Sequence, residues 1–294
     1  MKEITILSGK GGTGKTSITA ALASLAQNAV FCDSDVDAAD LHLILQPQIE
    51  YQEVFEGAYI AKIHEENCTN CGICEEHCHF DAIHQDTRGQ YFINPFQCEG
   101  CRLCERVCPT QTITSTRSTH NFWYISNTRF GKMVHAKMGA GEENSGKLVT
   151  QVRNKAKEIA KAQKADFILN DGPPGIGCPV ISSLSGTQQV LLVIEPTKSG
   201  LHDIQRLIAL IRDFNIPMMS IINKYDINMD MSLKVEDYLN KEKIPLIERI
   251  PFDTRFVKAM IEEKSVVEYD PNSEISQKIK HIWEALTENF KKIQ

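Results

Sequence analysis

Short, mainly apolar runs alternate with amphipathic stretches over most of the chain. Residues 4–8, 29–32, 167–170, 189–194, 218–223 and 247–250 are such runs, the pattern of strands buried on both faces. Residues 17–27, 146–165, 200–214 and 234–242 have helical spacing. The alternation predicts an α/β fold with a doubly wound parallel sheet and binding loops at the strand C-termini. Residues 64–115 break the rhythm, being rich in His, Glu and Cys, with Asp86-Thr87-Arg88-Gly89 as a hairpin turn. A strand at 122–125 and a loop with Gly139 and Gly141 then return to the main pattern. Glu142 and Glu143 read as helix-capping or partner-facing acids. The predicted division is therefore 1–60 plus 119–294 for the main domain and 61–118 for an insert. Ile275, Ile279, Ile282, Trp283, Leu286, Phe290 and Ile293 form one helical stripe. It is expected to pack on the sheet, because Glu274, Glu284 and Glu288 interrupt any basic, membrane-facing surface.

The 294 residues allow one large domain with an inserted module. A net charge of -6, with no basic patch, argues against nucleic acid as a partner. No apolar run reaches the roughly 18 residues of a membrane span, so no stable membrane association is expected. The N-terminus enters a strand without a leader pattern, so a cytoplasmic location is expected. Of ten cysteines, eight fall in two tight runs, which is metal-ligand spacing and not a disulfide framework. Cys32 reads as a core residue and Cys178 as a packed thiol.

Gly9-Lys10-Gly11-Gly12-Thr13-Gly14-Lys15-Thr16 follows the first strand in the pattern Gly-x4-Gly-Lys-Thr. Backbone N–H groups of Gly11, Gly12, Thr13, Gly14 and the helix start through Ser17 can close around phosphates. Lys15 supplies a charge to the outer phosphate oxygens, and Thr16 a hydroxyl to Mg²⁺. The second strand ends in Asp33, with Asp35 and Asp37 close behind, and carboxylates here can hold Mg²⁺ through water or orient a water. Asp33 with Asp35, or Asp33 with Asp37, are the candidate pairs, while Asp40 reads as a helix-start or interface residue. A further strand ends in Asp171, followed by the stiff loop 172–177.

The additional lysine, Lys10, resembles the signature of the deviant Walker A ATPases: the MinD/ParA class, the Mrp-type scaffold ATPases and the nitrogenase iron protein. The resemblance implies that Lys10 reaches across a nucleotide-sandwich dimer to the partner's phosphates. It implies that Asp33, Asp35 and Asp37 lie in a first switch and that Asp171 is the Walker B acid. It also implies base recognition by Asn223 and Lys224, with Pro251 lining the base pocket. ATP/ADP is the nucleotide the family implies, although an Asn-Lys-x-Asp string such as 223–226 also occurs in GTPases.

Cys68, Cys71, Cys74 and Cys78 are repeated as Cys98, Cys101, Cys104 and Cys108, each run spaced Cys-x2-Cys-x2-Cys-x3-Cys. This resembles the bacterial two-[4Fe–4S] ferredoxins, in which the fourth cysteine of each run serves the other cluster. The implied sets are Cys68, Cys71, Cys74 with Cys108, and Cys98, Cys101, Cys104 with Cys78. Zinc is the competing reading of four cysteines. Pro109 follows the pattern, whereas His79 stands where proline is usual. Taken together the chain resembles MinD-superfamily P-loop ATPases carrying an inserted ferredoxin domain. Strings such as 122–124, 135–137, 143–149, 171–179 and 195–203 carry that likeness. It implies two [4Fe–4S] clusters, a homodimer or a heterodimer with a paralogous ATPase, and a redox or metal-cofactor partner protein. The implied role couples ATP-driven dimer switching to electron transfer or metal-cofactor assembly. The alternatives are a cluster carrier and a redox-sensing scaffold or positioning ATPase.

Overall fold

The computed structural model describes residues 1–139 and 145–292. Gly141, Glu142, Glu143 and Asn144, and Ile293 of the terminal stripe, lie outside the described residues. The chain begins with β1 (Lys2–Leu7), α1 (Lys15–Ala23), β2 (Ala29–Asp33), α2 (Leu41–Leu45) and β3 (Gln48–Phe55). A run of small elements follows: β4 (Tyr59–Ile63), α3 (Ile73–Glu76), β5 (Ile83–Gln85), β6 (Tyr91–Ile93), α4 (Leu103–Val107) and β7 (Ile113–Arg117). Next come β8 (Asn121–Thr128), β9 (Gly131–Lys137), α5 (Ser145–Gln163), β10 (Phe167–Asp171), α6 (Cys178–Leu184) and β11 (Gln189–Ile194). The last elements are α7 (Lys198–Asp213), β12 (Met218–Asn223), α8 (Met229–Lys241), β13 (Leu246–Ile250), α9 (Arg255–Ile261), α10 (Val266–Tyr269) and α11 (Glu274–Lys292).

These elements form two compact units. One comprises Met1–Gln52, Trp123–Ala136 and Gly146–Gln294, the other Glu53–Phe122 and Lys137–Ser145. Among the described residues the first unit is built on a nine-stranded sheet ordered β13-β12-β11-β1-β10-β2-β9-β8-β3. From β13 to β9 all neighbours run parallel. Alternate side chains feed two apolar layers. Ile4 and Ile6 of β1, Leu191 and Val193 of β11 and Ile221 of β12 join α1, α2, α10 and α11 on one face. Leu7, Val190, Leu192, Ile194 and Ile222 join α6, α7 and α8 on the other. Helices on both faces explain why the central strands are apolar throughout.

In α11, Ile275, Ile279, Ile282, Leu286 and Phe290 are buried in the first layer, as the stripe predicts. Among the described residues no helix is long and apolar enough to cross a membrane. The edge strand β3 had no counterpart in the apolar pattern. Its sequence QIEYQEVF is exposed until Phe55, so no hydrophobic run announces it.

The second unit has a small core of Ala61, Ile63, Ile83, Tyr91 and Ile113, against which six of the eight clustered cysteines pack. β4 pairs antiparallel with β7, from Tyr59 opposite Arg117 to Ile63 opposite Ile113, so this ladder begins before residue 61. β5 and β6 form the hairpin expected around residues 86–89. Asp86 closes it by accepting from the N–H groups of Arg88 (2.8 Å) and Gln90 (2.9 Å).

Candidate functional site: a phosphate loop with an acidic wall, and two groups of four thiols

β1 delivers the chain into the glycine turn, and Gly14, at φ 88°, caps the start of α1. A Cβ at Gly14 would lie 2.5 Å from Nδ2 of Asn223, so a larger residue would displace that amide from the loop. Instead Asn223 Nδ2 donates to the Thr13 carbonyl at 2.7 Å, and Lys224 Nζ to the Gly12 carbonyl at 2.9 Å. Thr13 Oγ1 and Asn223 Oδ1 are buried without a hydrogen-bond partner among the described residues. Such orphans are uncommon and suit a polar ligand. Gly11 and Gly12 are exposed, and Ser17 is half-buried on the first turn of α1.

Parallel pairing sets Asp171 of β10 beside Asp33 of β2. Lys15 Nζ lies 3.0 Å from Asp171 and 3.5 Å from Asp35. Asp171 also accepts from Thr16 Oγ1 and from Thr19 Oγ1, both at 2.7 Å. Asp33 accepts from the N–H groups of Asp35 (3.1 Å) and Leu41 (3.2 Å). Burial works against the Lys15 charge, but Asp171, Asp35 and Asp33 outweigh it and leave its pKa raised. Burial, reinforced by Asp171, pushes the Asp33 carboxyl well up. Burial takes Asp35 up to about 6 despite Lys15. These oxygens converge beside the phosphate loop, a donor set that suits a hard divalent cation. Asp37, by contrast, is exposed and makes no ion pair with Lys15; partial desolvation on its covered side raises its carboxyl. Thr19 was not legible as a site residue, because a threonine in a helix carries no mark of its partner.

Lys10 takes partners other than the acids around Lys15. Its Nζ donates to Thr197 Oγ1 at 3.0 Å and pairs with Glu195 at 3.2 Å. Pro251 is half-buried after β13, and its neighbour Phe252 donates its N–H to Asp226 at 2.6 Å. Asp40 occupies the N-cap position of α2, without a side-chain cap bond. Cys32 is buried, as expected, but Cys178 is exposed, correcting the packed-thiol expectation. The buried positions of α6 are Val180, Ser183 and Leu184, and a residue two places before that stripe faces the opposite side.

In the second unit the two cysteine runs interleave. Cys68, Cys71, Cys74 and Cys108 line one small pocket, with Ile63, Tyr91 and Ile113 also in its wall. Cys78, Cys98, Cys101 and Cys104 line another, with Ala61, Ile83 and Ile93. Each run turns through a left-handed residue before its short helix, Gly72 at φ 78° before α3 and Arg102 at φ 63° before α4. Arg102 is held there by Glu105 (2.9 and 3.1 Å) and by the Tyr59 ring, 4.7 Å away. Burial raises the Cys74 thiol and takes Cys104 to about 11. At Cys108 burial is outweighed by donors from Thr110 and the backbone of 110–113, and the pKa falls. Four thiols on an apolar floor are the donor chemistry an iron–sulfur cluster requires.

A parallel sheet with a phosphate loop after β1, a lysine on that loop and an aspartate ending the adjacent strand defines a P-loop NTPase. Residues 4–266 match the CbiA family, the CobQ/CobB/MinD/ParA nucleotide binding domain, and the chain belongs to that family. It is 33% identical to the uncharacterized protein MJ0578 of Methanocaldococcus jannaschii, over 97% of this chain and 96% of that one. The fold resembles the septum site-determining protein MinD complexed with Mg-ADP from Pyrococcus horikoshii. That likeness has a TM-score of 0.58 and 20% identity, over 97% of this chain and 95% of that one. A stretch of 52 residues, 18% of this chain, is 36% identical to pyruvate synthase subunit PorD of M. jannaschii, covering 60% of the latter.

Proposed function

We propose that this protein is a MinD-type ATPase whose nucleotide-driven dimer switching is coupled to electron transfer, or to metal-cofactor assembly, on a partner protein. The observation that carries the reading is the interleaving of the thiols. Cys108 crosses to the first three cysteines and Cys78 to the second three, on a chain that also has a complete phosphate loop. The short PorD-like stretch supports a module of that size.

In this reading Lys15 would meet the outer phosphates of ATP, and Thr16, whose hydroxyl donates to Asp171, would be the hydroxyl ligand of Mg²⁺. Asp171 and Asp33 would hold the ion through water, Asp35 would orient the attacking water, and the ion would supply charge stabilisation at the phosphates. Asn223 and Lys224 brace the loop against the base side, with Pro251 nearby. Lys10 reaches the phosphates of the other protomer, in a homodimer or a heterodimer with a paralogue. Cys68, Cys71, Cys74 and Cys108 would hold one [4Fe–4S] cluster and Cys78, Cys98, Cys101 and Cys104 the other. Such clusters supply one-electron storage. The test is iron and sulfide analysis of anaerobically purified protein, together with phosphate release from ATP·Mg. About eight irons per chain and a hydrolysis rate lost in Lys15→Ala are expected. Zinc in place of iron, or hydrolysis indifferent to Lys15, would contradict the reading.

A further inference from the structure

We propose that Glu195 is a latch: it parks Lys10 inside its own protomer and must release it before the nucleotide-bound dimer forms. This rests on the reading of Lys10 as a group that reaches a partner's phosphates. Lys10 Nζ has two acceptors within its own chain, Glu195 at 3.2 Å and Thr197 Oγ1 at 3.0 Å. The other oxygen of Glu195 faces Lys224 Nζ at 3.6 Å. Lys224 in turn holds the Gly12 carbonyl at 2.9 Å, so one carboxylate ties together lysines from both loops around the phosphate site.

Backbone packing fixes this arrangement. A Cβ at Gly9 would lie 2.8 Å from the Asp203 carbonyl carbon, so the bend leading to Lys10 rests directly on α7. A Cβ at Gly200 would lie 2.4 Å from the Glu195 carbonyl oxygen, so the corner between β11 and α7 is equally tight. Thr197 is the N-cap of that helix and accepts from the Gly200 N–H at 2.9 Å while also accepting from Lys10. Lys10 and Glu195 are 27% and 20% exposed, so their pair is only partly screened by water.

An ammonium held by these two oxygens cannot at the same time reach a phosphate on another chain. Opening the pair is therefore part of dimer formation. The cost of opening the latch is the same with either nucleotide, and a partner's triphosphate, offering more negative charge to Lys10 than a diphosphate does, offsets it more fully.

Sedimentation velocity of the full chain, purified anaerobically, tests this in ATP·Mg and in ADP·Mg. Glu195→Gln keeps the side-chain shape and removes the charge. It is expected to lower the protein concentration for half-dimerisation in ATP about fivefold, equivalent to about 1 kcal/mol. In the Lys10→Ala background the same change is expected to do nothing. An unchanged or raised threshold in Glu195→Gln overturns the latch. So does a gain that persists without Lys10, because a general structural effect would not depend on that lysine. Glu195→Asp, which shortens the reach to Lys10, gives a second measure and must also lower the threshold. If Lys10→Ala dimerises in ATP as well as the wild type does, the reading of Lys10 itself fails, and the latch with it.

Discussion

Thr19→Val removes one hydroxyl from the centre of the phosphate site and leaves the side-chain shape intact. The Thr19 hydroxyl is fully buried, 2.7 Å from Asp171 Oδ1 and 3.0 Å from the Lys15 carbonyl. It has one proton, and the shorter, charged acceptor takes it. A hydrogen bond to a charged group contributes about 1.5–3 kcal/mol. Valine has a similar helix propensity to threonine and opens no cavity. Lys15 still faces the same oxygen at 3.0 Å, which holds the loss toward the lower half of that range. The net destabilisation is then about 2 kcal/mol, a fall in Tm of about 4 °C for a chain this long. With one donor gone, Asp171 is less firmly fixed beside Lys15, and under the proposed role of Asp171 toward Mg²⁺ phosphate release is expected to slow about tenfold. Thr19→Ser keeps the proton and is expected to retain most of the rate. Thermal unfolding and phosphate release across a Mg²⁺ titration measure both effects. A Thr19→Val protein that melts and hydrolyses like the wild type would refute the reasoning. Equal damage from Thr19→Ser would show that shape, and not the hydroxyl, matters.

Three other outcomes are expected. Asp35, pushed up to about 6 from an ordinary 3.8, holds its proton more tightly when folded, which favours the folded state at low pH. That contribution fades as pH rises through this window. Urea unfolding of the nucleotide-free protein should therefore show the wild type losing stability relative to Asp35→Asn between about pH 4 and pH 6; parallel curves would contradict the assignment. His135 behaves in the opposite sense. Burial, and then His42, take it down to about 4 while Ser126 Oγ lies 2.9 Å from its Nε2. Its stabilising contribution is present above the ordinary 6.5 and is lost as pH falls toward 4, so His135→Gln should flatten that acid limb. For the thiols, the Cys68→Ser, Cys108→Ser double variant should retain about half the iron, and Cys98→Ser, Cys108→Ser very little. The reverse result would mean that each run serves its own site.

The central sheet was legible because its strands are covered on both faces and therefore read as apolar runs. The phosphate loop was legible because a tight turn around phosphates requires glycines at fixed offsets, and Gly14, at φ 88°, indeed takes the left-handed backbone that favours glycine. The two cysteine runs announced themselves by spacing. What escaped lacked such a signature. β3 is a polar, exposed edge. Thr19 and Glu195 matter through partners far away in sequence, Asp171 and Lys10, which only the folding of β10 and β11 around β1 brings near. Cys178 was misread because its place relative to the buried stripe of α6 depends on where that helix starts.

The most direct test of the coupling follows the electron-spin signal of the reduced protein, prepared anaerobically, with and without ATP·Mg, in the wild type and in Lys10→Ala. The account predicts a change in signal or potential on adding ATP·Mg that disappears in Lys10→Ala. A signal indifferent to ATP·Mg, or a change that survives the loss of Lys10, would contradict it.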